Sequence, residues 1–357
     1  MTGAAATGVR AGAWLQVGFE RTLRLPDDGK TYPLPPDLGA LPVRRVADYA
    51  GLVPAAWRDG GGPDDVLLPL HEREALFLVF AGTPGRPCAV KVGVGGVDAV
   101  SGQPWNQRLQ AAPQDYLVCP PQPWLDGINA GAGMVRQFVA VPLGRGQTVE
   151  AQLTGREVQG GIQILVWEAR PGRFVDPLPD PAEEQSFAAE SGGLEGVAVP
   201  PGAAMGLGAG GRMHQRIYPD PYGIETWEPS PAASLRVYLL CARDWAALTG
   251  EEPPPTPVSA ALYTAYGLPW FALADADWGD VAAAPLLARV KGVRQLEREA
   301  GAGGDAGLVD DPLDASLHAS LHASLHIGDD QIITLGPQRR SGAPGATDDQ
   351  TPEEPDP

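Results

Sequence analysis

The sequence predicts a mainly β protein: an antiparallel β-sandwich or jelly-roll-like core with a few short helices C-terminal to it. Three observations carry that expectation. Over residues 15–25 the odd positions are Leu, Val, Phe, Arg, Leu and Leu, and the even ones are Gln, Gly, Glu, Thr and Arg. That is the period-two pattern of a strand with one wet face. Short apolar runs at 76–80, 88–94, 162–167 and 235–241 have strand length and are bounded by turn residues. Finally, 46 glycines and 38 prolines are spread along 357 residues, which suits many short strands and ordered loops and would interrupt long helices.

Residues 1–12 are small and featureless, as expected of a disordered N-terminus. The strand over 15–25 is expected at a sheet edge, with Arg21 interrupting its buried face. Residues 46–57 read as a short helix limited by Pro54. The run 88–94 places Val90, Val92 and Val94 inside and Lys91 outside. Residues 115–169 form the centre of the predicted core: a strand, a Gly/Asn loop, then three strands. Val149, Ala151 and Leu153 alternate with polar neighbours and predict one of those strands. Ile162, Ile164 and Val166 alternate with Gln163, Leu165 and Trp167, so the last is apolar on both faces and belongs inside the sheet. The glycines at 144–147 and 157–161 supply hairpin turns.

The expected β core therefore spans 13–169, followed by a Pro/Gly/Glu-rich connection over 170–202. A second half over 203–300 is packed on the core or continues it. In that half Gly206, Gly208, Gly210 and Gly211 predict a loop. They lack the strand before and the helix after that a dinucleotide-binding glycine motif requires. Short helices are expected at 242–249 and 258–266, stopped by Gly250 and Gly267. The longest helix is expected over 281–300, with Leu286, Leu287, Val290, Val293 and Leu296 on one stripe. A linker with a three-fold ASLH repeat and a disordered acidic tail occupies 301–357.

Composition narrows the function classes. A formal charge of −18 repels phosphate backbones and anionic membrane surfaces, so neither nucleic acid nor membrane is an expected partner. Three scattered cysteines, Cys88, Cys119 and Cys241, without a CxxC pair, fit a reducing compartment. With no apolar run long enough to span a bilayer, the expected location is cytoplasmic.

Candidate chemistry concentrates in Gln122-Pro-Trp-Leu-Asp-Gly-Ile-Asn129. This stretch sets an aromatic, a carboxylate and an amide on a glycine-hinged loop shortly before Arg136, and loops over a rigid sheet are where binding residues gather. Trp105, Trp124, Asp126, Asn129 and Arg136 are the expected binding residues. If there is catalysis, Asp126 is the candidate base with His71 or His214 as partner, and Cys119 with a histidine is a thinner alternative. His318, His322 and His326 recur every four residues, a helical stripe able to hold a metal. Identical ASLH units fit a linker or docking helix better, so no metal site and no cofactor are expected. Asp275, Asp277 and Asp280 resemble half a calcium loop but lack its glycine and terminal Glu.

The stretches QPWLDGIN, VRQFVAVPL, TVEAQLTG and GGIQI, with GGRMHQRIYPDPYG and YGLPWF downstream, resemble a group of microbial β-rich proteins of unassigned activity that carry similar runs. The resemblance spans roughly residues 13–300. It implies a shared fold and lends no residue a role. The expected function is non-catalytic: binding of a protein partner, or self-assembly. A hydrolase with its site on the 115–137 loop and a carbohydrate-binding module are the alternatives.

Overall fold

The computed structural model describes residues 8–59, 62–175, 196–200, 202–265, 267, 270–271 and 279–301. In chain order the strands are β1 (Gly8–Arg10), β2 (Leu15–Thr22), β3 (Thr31–Tyr32), β4 (Asp37–Ala40), β5 (Arg44–Arg45) and β6 (Val66–Leu70). Next come β7 (Ala75–Gly82), β8 (Cys88–Val94), β9 (Val97–Asp98), β10 (Leu117–Cys119) and β11 (Trp124–Leu125). The last five are β12 (Gly127–Gly131), β13 (Met134–Pro142), β14 (Ile162–Trp167), β15 (Ala204–His214) and β16 (Ala233–Cys241). Five short helices accompany them: α1 (Ala55–Asp59), α2 (Val149–Thr154), α3 (Ala242–Thr249), α4 (Ala260–Ala265) and α5 (Val293–Glu299).

The chain is mainly β, and its strands join one hydrogen-bonded sheet with the path β1-β2-β7-β13-β15-β16-β14-β8-β10. Pairing is antiparallel except for β3 on β15 and β6 on β16. The sheet folds over on itself. β10 pairs with β8 at one end of the path, and five residues later β11 pairs with β7 near the other end. The main apolar cluster fills the fold with Val17, Phe19, Leu78, Val90, Val92, Ile164, Leu207 and Val237. Two of the helices, α1 and α2, precede residue 170, so the helices are not confined to the C-terminal side.

The alternation over 15–25 marks a face, not an edge. β2 lies between β1 and β7 and also pairs with β4. Lys91 alternates away from Val90 and Val92 but is fully buried, because residues 103–115 cover that outer face. Its ammonium donates to Asp115 at 2.6 Å, to the Arg108 carbonyl at 2.7 Å and to Asn106 at 3.2 Å. This is the saturation with partners that a buried charge requires.

Residues 149–154 form helix α2 rather than a strand. Thr148 caps it by accepting from the Ala151 N–H at 3.0 Å, and Gly155 closes it in the left-handed conformation. The buried Glu150 carboxylate accepts the N–H groups of Val158, Gln159 and Gly160, which folds the following turn back onto the helix. Local capping outweighs an alternation only three apolar residues long.

The expected loop at Gly206–Gly211 is the middle of β15, and its glycines are there for closeness. A Cβ on Gly208 would stand 2.5 Å from Val293 Cγ2 of α5, and one on Gly206 2.8 Å from the Thr148 methyl at the start of α2. On Gly211 it would stand 2.4 Å from the Pro26 carbonyl. The register against β13 slips by one residue at Gly210 and Gly211, a bulge that bare backbone accommodates. β15 and β16 together sit between β13 and β14. Strands from after residue 200 thus complete a sheet begun before 170.

The stripe over 281–300 becomes a short 3₁₀ turn, Leu287–Arg289, and then α5, separated by Gly292. Gly292 bridges to Ala209 and leaves a Cβ only 1.5 Å from Asp27 Oδ2, so β-type contact with β15 interrupts the helix. The helices expected at 242–249 and 258–266 are present as α3 and α4, with Gly250 and Gly267 left-handed at their ends. The ASLH repeat and acidic tail lie outside the described residues. No helix among the described residues is long and apolar enough to cross a membrane.

Gly211→Ala should cost about 2 kcal/mol or more, since backbone rather than a mobile side chain blocks the new methyl. Gly51→Ala, with nothing within 4 Å of its Cβ, should stay within about 0.5 kcal/mol. Urea unfolding of the two variants beside the parent measures both.

Candidate functional site

The predicted 115–137 loop is drawn into the sheet as β11 and β12, and its polar side chains point inward. Asp126 is 4 % exposed. Gln215 clamps it in both directions: Gln215 Nε2 donates to the Asp126 carboxylate at 2.6 Å, and the Asp126 N–H donates to Gln215 Oε1 at 2.9 Å. Burial pushes the Asp126 carboxyl up to about 7, against the lowering effect of hydrogen bonds from Gln215 and Trp124. Neither histidine is among the groups acting on it. His71 Nε2 donates to the Pro254 carbonyl at 2.8 Å, and His214 is exposed at the end of β15.

Asn129 is equally committed. Its amide donates to the Val100 and Ala282 carbonyls, and its oxygen accepts from the Gly131 N–H. Arg136 ties β13 to the C-terminal segment through the Val290 and Gly210 carbonyls and an ion pair with Asp27 at 3.4 Å. Trp105 lies half-buried against bare Gly93, where a Cβ would come within 2.7 Å of its ring. Trp124, also half-buried, packs on the main core. Trp105, on the loop after β9, belongs to the cluster around Trp167, so the two tryptophans serve different clusters.

Four more buried or half-buried glutamines act as Gln215 does. Gln114 and Gln122 bind backbone groups of 216–220, Gln137 bridges to Leu23 and Leu25, and Gln163 links Gly96 to Gly160. Each side-chain amide offers a donor and an acceptor in the pattern of a peptide group, so it can join two segments that form no regular ladder.

Cys119 stands opposite Cys88 in the β8–β10 register, and both are buried free thiols. Burial raises the Cys119 thiol well above its ordinary range, with Cys88 adding to the effect, the reverse of what a nucleophilic thiolate needs. Asp280 accepts from the Gly133 and Ile217 N–H groups, whereas Asp275, Asp277, His318, His322 and His326 lie outside the described residues. No three His, Cys, Asp or Glu side chains gather into a metal-binding group among the described residues.

An accessible cavity lies elsewhere, at the end of β14. An open groove of about 530 Å³ runs between residues 168–174 and 228–232. Phe174, Pro171 and Pro229 give it apolar walls, and Glu168, Glu228 and Arg86 give it charge. The Glu168 carboxylate accepts from the Ala13 N–H at 2.8 Å. Arg86 stacks 4.5 Å over the Trp14 ring and donates to the Phe174 carbonyl at 3.4 Å. Glu228 is half-buried, and its carboxylate has no hydrogen bond or ion pair among the described residues. Phe174 meets Tyr222 edge-on at 5.1 Å, and Tyr222 in turn meets Trp227. The sequence signal for this groove is thin: a Pro/Gly-flanked RPGRF inside the expected 170–202 connection, and a Glu in TWEPSP, in the second half, with no motif around it.

The Asp126 carboxyl, ordinarily near 3.8 and raised to about 7 in the fold, holds its proton in the folded state through a range where the unfolded chain has lost it. Its contribution to stability therefore declines as pH rises from about 4 to about 7 and is flat above. Asp126→Asn should remove that slope, so urea midpoints of the variant should gain on the parent between pH 5 and pH 8. Equal pH dependence in the two proteins would contradict it.

Comparison of the chain with protein-family models, with curated proteins and with solved structures found no match.

Proposed function

We propose that this is a non-catalytic binding protein whose groove at the end of β14 takes an extended, basic segment of a partner protein. The observation that carries this reading is Glu228: a half-buried carboxylate, unpaired among the described residues, in an open groove of about 530 Å³. An unpaired charge with part of its hydration removed gains most from an incoming cation. Among the described lining residues two carboxylates face one guanidinium, that of Arg86, itself engaged with Trp14 and Phe174, so the lining carries a net negative charge. The chain's formal charge of −18 favours the same class of partner at longer range. Proline and phenylalanine walls suit the aliphatic stems of Lys or Arg.

A binding role also fits the absence of histidine and cysteine from the lining among the described residues, where Ser230 is the sole hydroxyl side chain. Acid–base catalysis by Asp126 would need substrate to reach a carboxyl that is 4 % exposed and clamped by Gln215.

Selection of displayed random peptides on the full chain should enrich Lys- or Arg-containing sequences whose affinity falls with added salt. Glu228→Gln should weaken the selected peptides by about fivefold to tenfold. Enriched peptides without basic residues, or affinity indifferent to Glu228→Gln, would overturn the proposal.

A further inference from the structure

At the opposite end of the β14–β16 pair lies a second cavity, of about 320 Å³, a size suited to a small organic molecule. The register places Val166 opposite Ala233 at the groove end and Ile162 opposite Val237 at this one. Trp57 from α1, Leu143, Met205 and Leu239 line it with apolar surface, and Arg236, Tyr238 and Gln159 bring polar side chains. Trp57 stacks on Tyr238 with ring centroids 4.7 Å apart and an interplanar angle of 20°, so the phenol is held in one orientation.

Two polar groups of this cavity are left with capacity for a ligand. Tyr238 is 7 % exposed, and its hydroxyl is buried without a hydrogen-bond partner. Burying an unpaired hydroxyl costs free energy that a ligand oxygen would recover. The Arg236 guanidinium forms no ion pair among the described residues, and its one side-chain neighbour of hydrogen-bonding type is the Tyr238 hydroxyl. Its charge acts on the Tyr238 hydroxyl and on Asp65. Asp65 is the nearby acid: its Oδ1 accepts the Arg236 backbone N–H at 2.9 Å, and its Oδ2 is unpartnered. It does not reach the guanidinium as an ion pair. A fixed phenol donor and a guanidinium without a carboxylate partner, beside an aromatic and aliphatic wall, match one ligand chemistry, an apolar body carrying one carboxylate.

We propose that the cavity bounded by Trp57, Met205, Leu239, Arg236 and Tyr238 binds a small aromatic monocarboxylate, its carboxylate accepting from Arg236 and the Tyr238 hydroxyl and its ring against Trp57. The site is independent of the peptide groove, and Glu228 takes no part in it.

Titration calorimetry of the full chain with 2-naphthylacetate tests this, with 2-naphthylacetamide as the uncharged probe of nearly the same shape. The carboxylate should bind and the amide should bind about tenfold more weakly or not at all. Arg236→Gln and Tyr238→Phe should each weaken the carboxylate by about fivefold or more, with Glu228→Gln leaving it unchanged. The carboxylate–amide comparison uses the unaltered protein and does not depend on how well a variant folds. Equal affinity for the two probes, no binding of either, or binding insensitive to both substitutions would overturn the proposal.

Discussion

The close approach permitted by the glycines of β15 is the constraint on which the rest of the structure depends. Gly206 and Gly208 let α2 and α5 rest on bare backbone, while Gly211 admits the 25–26 segment to within van der Waals contact. Ordinary side chains there would hold these elements away from the sheet, and native packing density leaves no room to absorb such a gap. The same strand bonds to β13 along most of its length and to β16 at its start. Loss of β15 would therefore divide the sheet between β13 and β16 and strip two helices of their seat.

Polar groups in the interior follow a single logic. A chain with so many short strands leaves many peptide groups outside regular ladders, and each needs a partner once buried. Buried glutamines and carboxylates supply them. Gln215 holds β11, Glu150 holds the turn after α2, and Asn129 holds residues 100 and 282. Asp220 accepts from the Tyr116 hydroxyl and the Trp227 indole at once. Residues that look chemically potent in the sequence are thus spent on the frame, and the raised Asp126 carboxyl is a consequence of burial rather than a mark of catalysis.

Strand content was legible where side chains alternate or run apolar over five or more residues, as in β2, β7, β14 and β16, because the core imposes that period directly. The helix stops at Gly250 and Gly267 were legible for an equally local reason, the left-handed cap. Three features were not. Thr148 and Glu150 make α2 from hydrogen bonds to their own surroundings, which apolar periodicity ignores. β15 is a strand made of glycines, whose justification lies in elements more than fifty residues away. Lys91 is buried because a loop covers it and Asp115 meets it, a tertiary fact that leaves no local trace. The same holds for the cavities: Trp124, Asp126 and Asn129 form a suggestive constellation in one dimension, whereas the polar groups that line the two cavities, among them Glu228, Arg236 and Tyr238, are single residues among proline or apolar neighbours.

Both cavities belong to one seam. The groove lies at the end of β14 where residues 168–174 face 228–232, and the smaller cavity lies at its start, where Gly161 meets Tyr238 and Leu239. Their shapes persist only if β15 and β16 are integral to the sheet rather than a loosely appended pair. Native-state hydrogen exchange of the full chain, followed peptide by peptide, measures this directly. The account predicts that the amides of β14, β15 and β16 open with the same free energy as those of β7 and β13, in one global event. Exchange of residues 204–241 at a clearly lower free energy than β7 and β13 would contradict it.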